Sequence, residues 1–234
     1  MRFSRWQAQG NVYLIADEPL TADAVRDSVG DADGILEVKG RGRDWVEIAV
    51  WNPDGSLAEM SGNGTRIAAR WLAEQTGADL VIVRVGEREV TARMLGGALV
   101  EQELAFSVGE PGTAAGVRFT PVDVGNPHAV VDDDPGRLPL LGPLLENDPQ
   151  FPNRTNVQVA HRLGDGTIEA RVWERGVGET ESSGTSAIAV AAAFGASDAR
   201  IRFPGGDLLV RLDGGRAYLT GAAEEVASSG GSAP

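Results

Sequence analysis

The sequence of 234 residues contains no cysteine and only two histidines. The lack of cysteine excludes disulfide bonds, thiolate metal sites and thiol nucleophiles. The two imidazoles, His128 and His161, are too few for a multi-histidine metal site. There is no Walker loop and no GxGxxG segment that leads into a helix. We therefore expect the protein to use neither a metal nor a nucleotide cofactor.

Basic residues are also scarce, since 21 Lys and Arg stand against 34 Asp and Glu, for a formal net charge of -13. So acidic a chain argues against nucleic acid and anionic membranes as partners. No apolar run reaches the roughly 20 residues that a bilayer-spanning helix needs. The first residues, MRFSRWQAQGNVYLIAD, lack the apolar region of a signal peptide. The expected location is therefore the cytoplasm.

One short apolar segment, residues 187–194, contains only Ala, Ile, Val and Phe. Its alanines and its lack of Gly and Pro predict a helix, and a helix that is apolar all round must be buried on every side. Ser183, Gly184 and Thr185 stand at its N-terminus, where free N–H groups and the helix dipole favour a negative charge. The alternative is that these residues only cap a core helix, which is a common arrangement.

Residues 51–67, WNPDGSLAEMSGNGTRI, form a second block of the same kind and predict a helix over residues 65–75. A shift of roughly 122 positions superimposes the two blocks, with Trp51 on Trp173, Ser61 on Ser183 and Gly62 on Gly184. A second echo pairs Gly10-Asn11 with Gly125-Asn126, and each pair precedes an apolar strand. Two echoes in the same order favour an internal duplication.

The remaining signals are mostly those of strands, at residues 81–85, 89–94, 100–106, 156–160, 168–173 and 208–212. We predict an α+β fold of two pseudo-symmetric halves, each a curved, mostly antiparallel sheet wrapped around a central helix. The breaker-rich segment 109–116 indicates the boundary, which gives halves at 1–112 and 113–226. Residues 227–234 are predicted to form a disordered tail. Two facing halves would bring Ser61 and Ser183 to one cleft.

Five motifs carry a resemblance to a known family: GNVY (10–13), WNPDGSLAEMSGNGTR (51–66), GNPH (125–128), RTNV (154–157) and ERGVGETESSGTS (174–186). In this order, and across residues 3 to about 226, the chain resembles the diaminopimelate epimerase family. The resemblance implies the fold predicted above. It also implies a cofactor-independent isomerase that interconverts LL- and meso-diaminopimelate, in the synthesis of lysine and cell-wall precursors.

Family members use two cysteines, one in each half, to remove the α-proton from one face and return a proton to the other. Those cysteines match Ser61 and Ser183, and the groups thought to assist them match His128 and Glu174. The resemblance also implies a substrate-binding set, which consists of Asn11, Asn52, Gly62, Asn63, Asn126, Asn156, Glu174, Arg175, Gly184 and Thr185.

Serine in place of both cysteines is the main departure from the family. A free thiol has a pKa near 8.5, which a helix N-terminus and a neighbouring base can lower. A serine hydroxyl is a much weaker acid and needs more help from a general base. Ile67 and Ile188 stand where family members often carry further cysteines. This favours natural divergence over a deliberate cysteine-to-serine substitution.

Two alternatives stay open at this point. One is an isomerase or racemase for another small amino acid, with His128 and Glu174 as its acid and base. The other is a non-catalytic relative that binds an amino acid. The structural interpretation of the same residues is that the asparagines are turn residues and that Glu174 and Arg175 form a plain ion pair. A homodimer is one option for the oligomeric state, which the sequence leaves open.

Overall fold

The computed structural model describes residues 3–226, so the predicted disorder of residues 227–234 lies outside the described part of the chain. Within residues 3–226, no helix is both long and apolar enough to cross a membrane. The chain divides into two compact units. Unit 1 comprises the residues up to Glu101 together with the C-terminal segment from Ala222, and unit 2 comprises Gln102–Gly221.

This division differs from the one predicted from the sequence. The predicted boundary between residues 112 and 113 falls inside a strand of unit 2, β10 (Gly112–Ala114), which pairs with the strand that follows it. Gly112 and Gly116 of this segment therefore lie in a short hairpin, and the segment does not form a linker. The segment from Ala222 belongs to unit 1 because it pairs with the first strand of the chain.

Unit 1 contains a mixed sheet and two helices, α1 (Ala22–Ser28) and α2 (Gly62–Thr76). Its strands are β1 (Phe3–Ala8), β2 (Asn11–Ala16), β3 (Gly34–Arg41), β4 (Trp45–Trp51), β5 (Leu57–Ala58), β6 (Leu80–Val85), β7 (Arg88–Gly96), the first residues of β8 (Leu99–Ala105), and β19 (Glu224–Glu225). Pairing is parallel between β2 and β3 and between β4 and β6. It is antiparallel for β19–β1, β1–β2, β3–β4, β4–β5 and β6–β7.

Unit 2 contains the 3-10 helix η1 (Pro135–Arg137) and the helices α3 (Leu138–Glu146) and α4 (Gly184–Ala193). Besides β10, its strands are β9 (Ser107–Val108), β11 (Val117–Asp123), β12 (Pro127–Asp132), β13 (Asn156–Arg162), β14 (Ile168–Glu174), β15 (Gly178–Thr180), β16 (Asp198–Phe203), β17 (Gly206–Asp213) and β18 (Arg216–Ala222). Pairing is parallel for β12–β13 and β14–β16. It is antiparallel for β9–β11, β11–β12, β13–β14, β14–β15, β16–β17 and β17–β18.

The two units repeat one topology. The order β1–β2–β3–β4–β6–β7 in unit 1 recurs as β11–β12–β13–β14–β16–β17 in unit 2, with the same parallel or antiparallel sense at every step. In each unit the long helix lies between the fourth and the fifth strand of this series. The α+β fold of two similar, mostly antiparallel halves is thus confirmed, and so are the predicted strands.

Each long helix forms the centre of its unit, as its composition predicts. Every residue of α4 from Gly184 to Ala192 is buried, because strands of unit 2 pack around an element with no polar face. In unit 1, Ile67 and Leu72 of α2 pack in a core that also includes Trp6 of β1 and Val83 of β6. Gly77 ends α2 with a positive φ of 71°, which glycine adopts without steric cost.

The helix α3 was not predicted, because Pro143 interrupts its sequence LPLLGPLLE. Its leucines explain why it forms, since Leu138, Leu141 and Leu145 are fully buried against the sheet of unit 2. Gly142 lets the helix lie directly on Trp173, because a Cβ at this position would come within 2.7 Å of the indole ring. This close packing places Glu146, the last residue of α3, next to the segment that follows β14.

Candidate functional site

Ser61 caps the N-terminus of α2 in unit 1. Its extended backbone (φ -137°, ψ 118°) leads into the helix, and its Oγ accepts a hydrogen bond of 2.9 Å from the N–H of Gly64. Gly64 permits this approach, since a Cβ there would lie 3.1 Å from the Ser61 Oγ. The hydroxyl is therefore fixed at the positive end of the helix dipole.

A second hydroxyl lies against Ser61. The phenolic oxygen of Tyr13, on β2, is 3.0 Å from the Ser61 Oγ, and either group could be the donor. The ring is only partly buried, as is Ser61. Unit 1 therefore places two hydroxyl groups in direct contact at the start of its central helix.

At the same helix start, a chain of hydrogen bonds joins the buried Asn63 and Arg66 to the partly buried Asn11. The Asn63 amide donates to the Asn11 side-chain oxygen, and Arg66 donates to the Asn63 oxygen over 2.6 Å. Burial lowers the pKa of the fully buried Arg66 from its ordinary value to about 10, so its guanidinium remains charged at neutral pH. Arg66 also donates to the carbonyl of Ala222, which connects these hydrogen-bonded side chains to the C-terminal segment.

Ser183 caps α4 in unit 2 in the same way that Ser61 caps α2. Its backbone is extended (φ -149°, ψ 129°), and its Oγ accepts from the N–H of Ser186 over 3.4 Å. The Thr185 hydroxyl lies 3.4 Å from the same Oγ. Ser183 is 8% exposed. The serine caps match the sequence repeat, because both lie immediately before the equivalent helix.

His128 lies beneath the N-terminus of α4 and is almost fully buried. Its Nε2 is 2.9 Å from the Asn126 side-chain oxygen, and its Nδ1 is 3.0 Å from the amide nitrogen of Gln158. The same Gln158 nitrogen donates to the Ser186 hydroxyl over 2.9 Å. With Gln158 donating to Nδ1, the proton of His128 is on Nε2 and is donated to Asn126.

The pKa of His128 is lowered from 6.5 to about 3, chiefly because burial penalises the charged imidazolium. The positive charge of Arg175 lowers it further. His128 is therefore a neutral ring at physiological pH. In this state it can orient its neighbours by hydrogen bonding, but it binds a second proton only weakly.

Glu174 is the last residue of β14, and Arg175 begins the segment that follows it. The side chain of Asn156 accepts from the N–H of Arg175 over 3.0 Å and donates to the carbonyl of Pro127 over 2.9 Å. Asn156 thus links the two segments of unit 2 that carry Arg175 and His128. In contrast, Asn52 of unit 1 donates to the Ser56 hydroxyl over 3.0 Å, within its own turn.

Glu146 fixes the far side of this segment. One of its carboxylate oxygens accepts from the indole N–H of Trp173 over 2.7 Å. The other accepts from the N–H of Gly176 over 2.7 Å and from Arg154 over 3.2 Å. The carboxylate is almost completely buried, so these donors replace its hydration.

The sequence interpretation missed Glu146, Gln158 and Tyr13. Nothing in the sequence marks Glu146, because its helix was not predicted. Gln158 lies in a strand that was predicted, but its side-chain partners come from other elements. Tyr13, however, follows Gly10-Asn11 just as His128 follows Gly125-Asn126 with one residue between. The repeat itself was therefore a signal that could have found it.

These features describe a polar cluster in each unit, with a serine hydroxyl at the first N–H groups of a helix. The Tyr13 phenol contacts Ser61 in unit 1, and Gln158 links His128 to Ser186 in unit 2. The amide groups at a helix start stabilise negative charge, and the hydroxyls can accept or donate a proton. Each cluster is suited to a small anionic ligand on which negative charge develops.

Comparison with known proteins gives one consistent result. A family model described as diaminopimelate epimerase matches residues 120–226. The diaminopimelate epimerase of Desulforudis audaxviator is 35% identical over 271 residues, with 97% of each chain covered. The diaminopimelate epimerase of Thermobifida fusca is 35% identical over 266 residues, with 97% of this chain and 96% of that protein covered.

Solved structures agree on the fold. A predicted epimerase from Pseudomonas aeruginosa superimposes with a TM-score of 0.74 at 15% identity over 97% of both chains. A hydroxyproline epimerase from Agrobacterium vitis, with trans-4-hydroxy-L-proline bound, gives a TM-score of 0.72 at 16% identity, over 96% of this chain and 90% of that one. At such identities these structures show the fold alone. The curated relatives are 35% identical over nearly their full length, which shows family membership as well as fold. The chain belongs to the diaminopimelate epimerase family.

Proposed function

We propose that the protein interconverts LL- and meso-2,6-diaminopimelate without a cofactor, with Ser61 and Ser183 transferring protons on opposite faces of one α-carbon. Membership of the family supports this substrate. The observation that carries the proposal is the pair of serine caps, Ser61 on α2 and Ser183 on α4, which occupy equivalent places in two copies of one topology. Inversion of a stereocentre needs one proton-transferring group on each face, and a duplicated fold can supply two.

Removal of the α-proton leaves negative charge that spreads onto the carboxylate as an enediolate-like species. The N–H groups at the start of α2, from Gly62 and Asn63, and those at the start of α4, from Gly184 and Thr185, would bind this carboxylate. Such preorganised donors stabilise charge that develops in the transition state. This contribution is independent of whether the proton-transferring atom is sulfur or oxygen.

The remaining candidate residues would hold the distal end of the substrate. Asn11, Asn52, Asn126 and Asn156 offer amide groups to its amino and carboxylate groups, and Glu174 and Arg175 offer opposite charges to the same groups. Since His128 is neutral, its contribution is to orient Asn126 and the start of α4. Glu174 is the candidate that can assist proton transfer as a carboxylate.

Incubation of the purified protein with LL-diaminopimelate in deuterium oxide tests the function. We expect the α-proton NMR signal to disappear and meso-diaminopimelate to accumulate. A protein that only binds amino acids would show a raised melting temperature with diaminopimelate but no deuterium uptake. Deuterium uptake by another small amino acid, and none by diaminopimelate, would contradict the substrate and retain the reaction type.

Glu146→Gln is expected to weaken diaminopimelate binding about tenfold, because an amide nitrogen replaces one acceptor oxygen and a hydrogen bond to a charged group is worth about 1.5–3 kcal/mol. The loss would loosen the segment that carries Arg175. Calorimetric titration measures the dissociation constant. The matched control is Glu169→Gln, which removes an exposed carboxylate paired with His161 at 3.5 Å. Equal affinities of the two variants would contradict the positioning role.

Two finer expectations accompany the proposal. A reaction that supplies lysine and cell-wall precursors would take place in the cytoplasm, which fractionation of the native cells would show. A homodimer is the second expectation, and sedimentation equilibrium of the purified protein would measure it.

A further inference from the structure

Tyr13 occupies in unit 1 the position that His128 occupies in unit 2. The sequence Gly10-Asn11-Val12-Tyr13 is the equivalent of Gly125-Asn126-Pro127-His128. The strand register agrees with this match. Tyr13 on β2 lies beside Gly34 at the start of β3, and His128 on β12 lies beside Asn156 at the start of β13, with parallel pairing in both cases. The duplication therefore places the Tyr13 and His128 rings at equivalent positions of the two units.

The contact of Tyr13 with Ser61 is direct. The Ser61 Oγ has the Gly64 N–H at 2.9 Å and the Tyr13 Oη at 3.0 Å. The Gly64 N–H can only donate, whereas both hydroxyls can donate or accept. A proton can thus pass between Tyr13 and Ser61 without movement of either backbone.

Neighbouring backbone holds the phenol in place. A Cβ on Gly34 would come within 2.9 Å of the Tyr13 ring and 2.4 Å of the Trp51 carbonyl oxygen. The ring therefore packs against β3 where only glycine leaves room. On the other side, Tyr13 pairs with Trp6 of β1, which is almost fully buried. The position of the phenol next to Ser61 is thus set by the sheet.

We propose that Tyr13 is the proton-relay partner of Ser61, a role that rests on the proposed function. For proton removal, the Tyr13 phenolate takes the Ser61 hydroxyl proton as the Ser61 oxygen takes the substrate α-proton. The electron pair of the broken C–H bond stays on the substrate as the enediolate. In the reverse direction, Ser61 gives its proton to the α-carbon and regains one from the Tyr13 phenol. Each proton lost by one group is gained by the next, and the partly buried Tyr13 phenol returns its proton to solvent water before the next proton removal.

The relay provides Ser61 with a group that ionises more easily than its own hydroxyl. A phenol has an ordinary pKa of about 10, much lower than that of an aliphatic hydroxyl, so the negative charge is more stable on the Tyr13 oxygen than on the Ser61 oxygen. The N-terminus of α2 is adjacent to Ser61, and its dipole favours this charge. Tyr13 thus allows Ser61 to serve in the place of a thiol, which would ionise by itself.

The first test compares Tyr13→Phe in two backgrounds by deuterium uptake at the α-carbon. In the parent, we expect deuterium uptake by the stereoisomer whose α-proton Ser61 removes to fall about a hundredfold, the scale of general acid–base catalysis. Exchange of the other stereoisomer without inversion, which Ser183 would carry out, should change little. In the Ser61→Cys background, the same substitution should cost less than about threefold, because a thiol of pKa near 8.5 ionises without a relay. Tyr218→Phe, which removes a phenol whose ring packs against Arg211, is the matched control.

A purely structural role for Tyr13 predicts a different result, with equal losses in both backgrounds and for both stereoisomers. That result, or an unchanged rate in Tyr13→Phe, would overturn the relay and leave the epimerase function intact. The absence of uptake in every form, including Ser61→Cys, would instead refute the proposed function and the relay with it.

The second test needs no substrate. The chain has two tyrosines, so a sample labelled with carbon-13 at the phenol carbon gives two signals, which Tyr218→Phe assigns. Ser61→Ala should shift the pH titration of the Tyr13 signal and leave the Tyr218 signal unchanged. An unchanged Tyr13 titration would show that the two hydroxyls are not coupled, and the relay would be wrong.

Discussion

Ser61→Cys combined with Ser183→Cys is expected to raise the rate of diaminopimelate epimerisation about a hundredfold over the parent, within the range of general acid–base catalysis. The helix amides and asparagines that would position the substrate are already present. What the parent lacks is a group that ionises near neutral pH on each face of the α-carbon. Thiols of pKa near 8.5, at the N-termini of α2 and α4, provide such groups. Conversion of LL- to meso-diaminopimelate under reducing conditions measures the rate.

The single substitutions are the internal controls for this experiment. Each should gain less than the double variant, because inversion needs proton transfer on both faces. If the double variant binds diaminopimelate with parent affinity and gains nothing, these residues serve other chemistry, and Glu174 becomes the preferred acid–base candidate. If it does not bind diaminopimelate at all, the substrate is wrong and the fold assignment alone survives.

Lowering the pH from 7 to 5 is expected to cost about 2 kcal/mol of folding stability through His128, since one pKa unit corresponds to about 1.4 kcal/mol. The pKa of His128 is lowered from 6.5 to about 3 by burial, so between these values the unfolded chain binds a proton that the folded chain excludes. Stability therefore falls as the pH drops below about 6.5, and the loss continues until the pH reaches about 3.

Urea denaturation at pH 7 and at pH 5 measures this effect, and His128→Gln isolates it. The variant loses some stability at both pH values, but the difference between them should shrink by about 2 kcal/mol relative to the parent. His161→Gln is the matched control, since the side chain of His161 is 35% exposed. An unchanged pH difference in His128→Gln would contradict the exclusion of the imidazolium from the folded state.

Much of the fold follows from the sequence because its signals are local. Alternating strands and the two long helices reflect short-range periodicity, and the echo between the helix N-termini is a repeated local motif; the structure confirms all three. The helix α3 is not predictable from local signals, because Pro143 is a local breaker, whereas the burial of Leu138, Leu141 and Leu145 that stabilises the helix is a tertiary effect. The unit boundary is not predictable for a related reason, because it depends on which distant strand the segment from Ala222 joins.

The candidate site was predictable to the extent that motifs mark it. Ser61 and Ser183 lie immediately before α2 and α4, as the Ser-Gly pairs at 61–62 and 183–184 predict. Their roles in proton transfer remain a prediction. The partners of these residues were less accessible. Glu146 reaches Trp173 and Gly176 only through the packing of α3, and Gln158 reaches His128 only through parallel strand pairing. Such contacts join residues far apart in sequence, on which local patterns carry no information.

The pairing of β19 with β1 constrains the order in which the two units can fold during synthesis at the ribosome. Glu225 and Glu224 pair with Trp6 and Gln7, and Ala223 is buried in the core of unit 1. Unit 2 is one uninterrupted stretch, whereas unit 1 is split around it. Domains usually fold in the order in which they are translated. Here unit 1 is the first to be translated but the last to be completed, because it needs β19. Until β19 leaves the ribosome, one edge of β1 is unpaired and can form incorrect strand pairs.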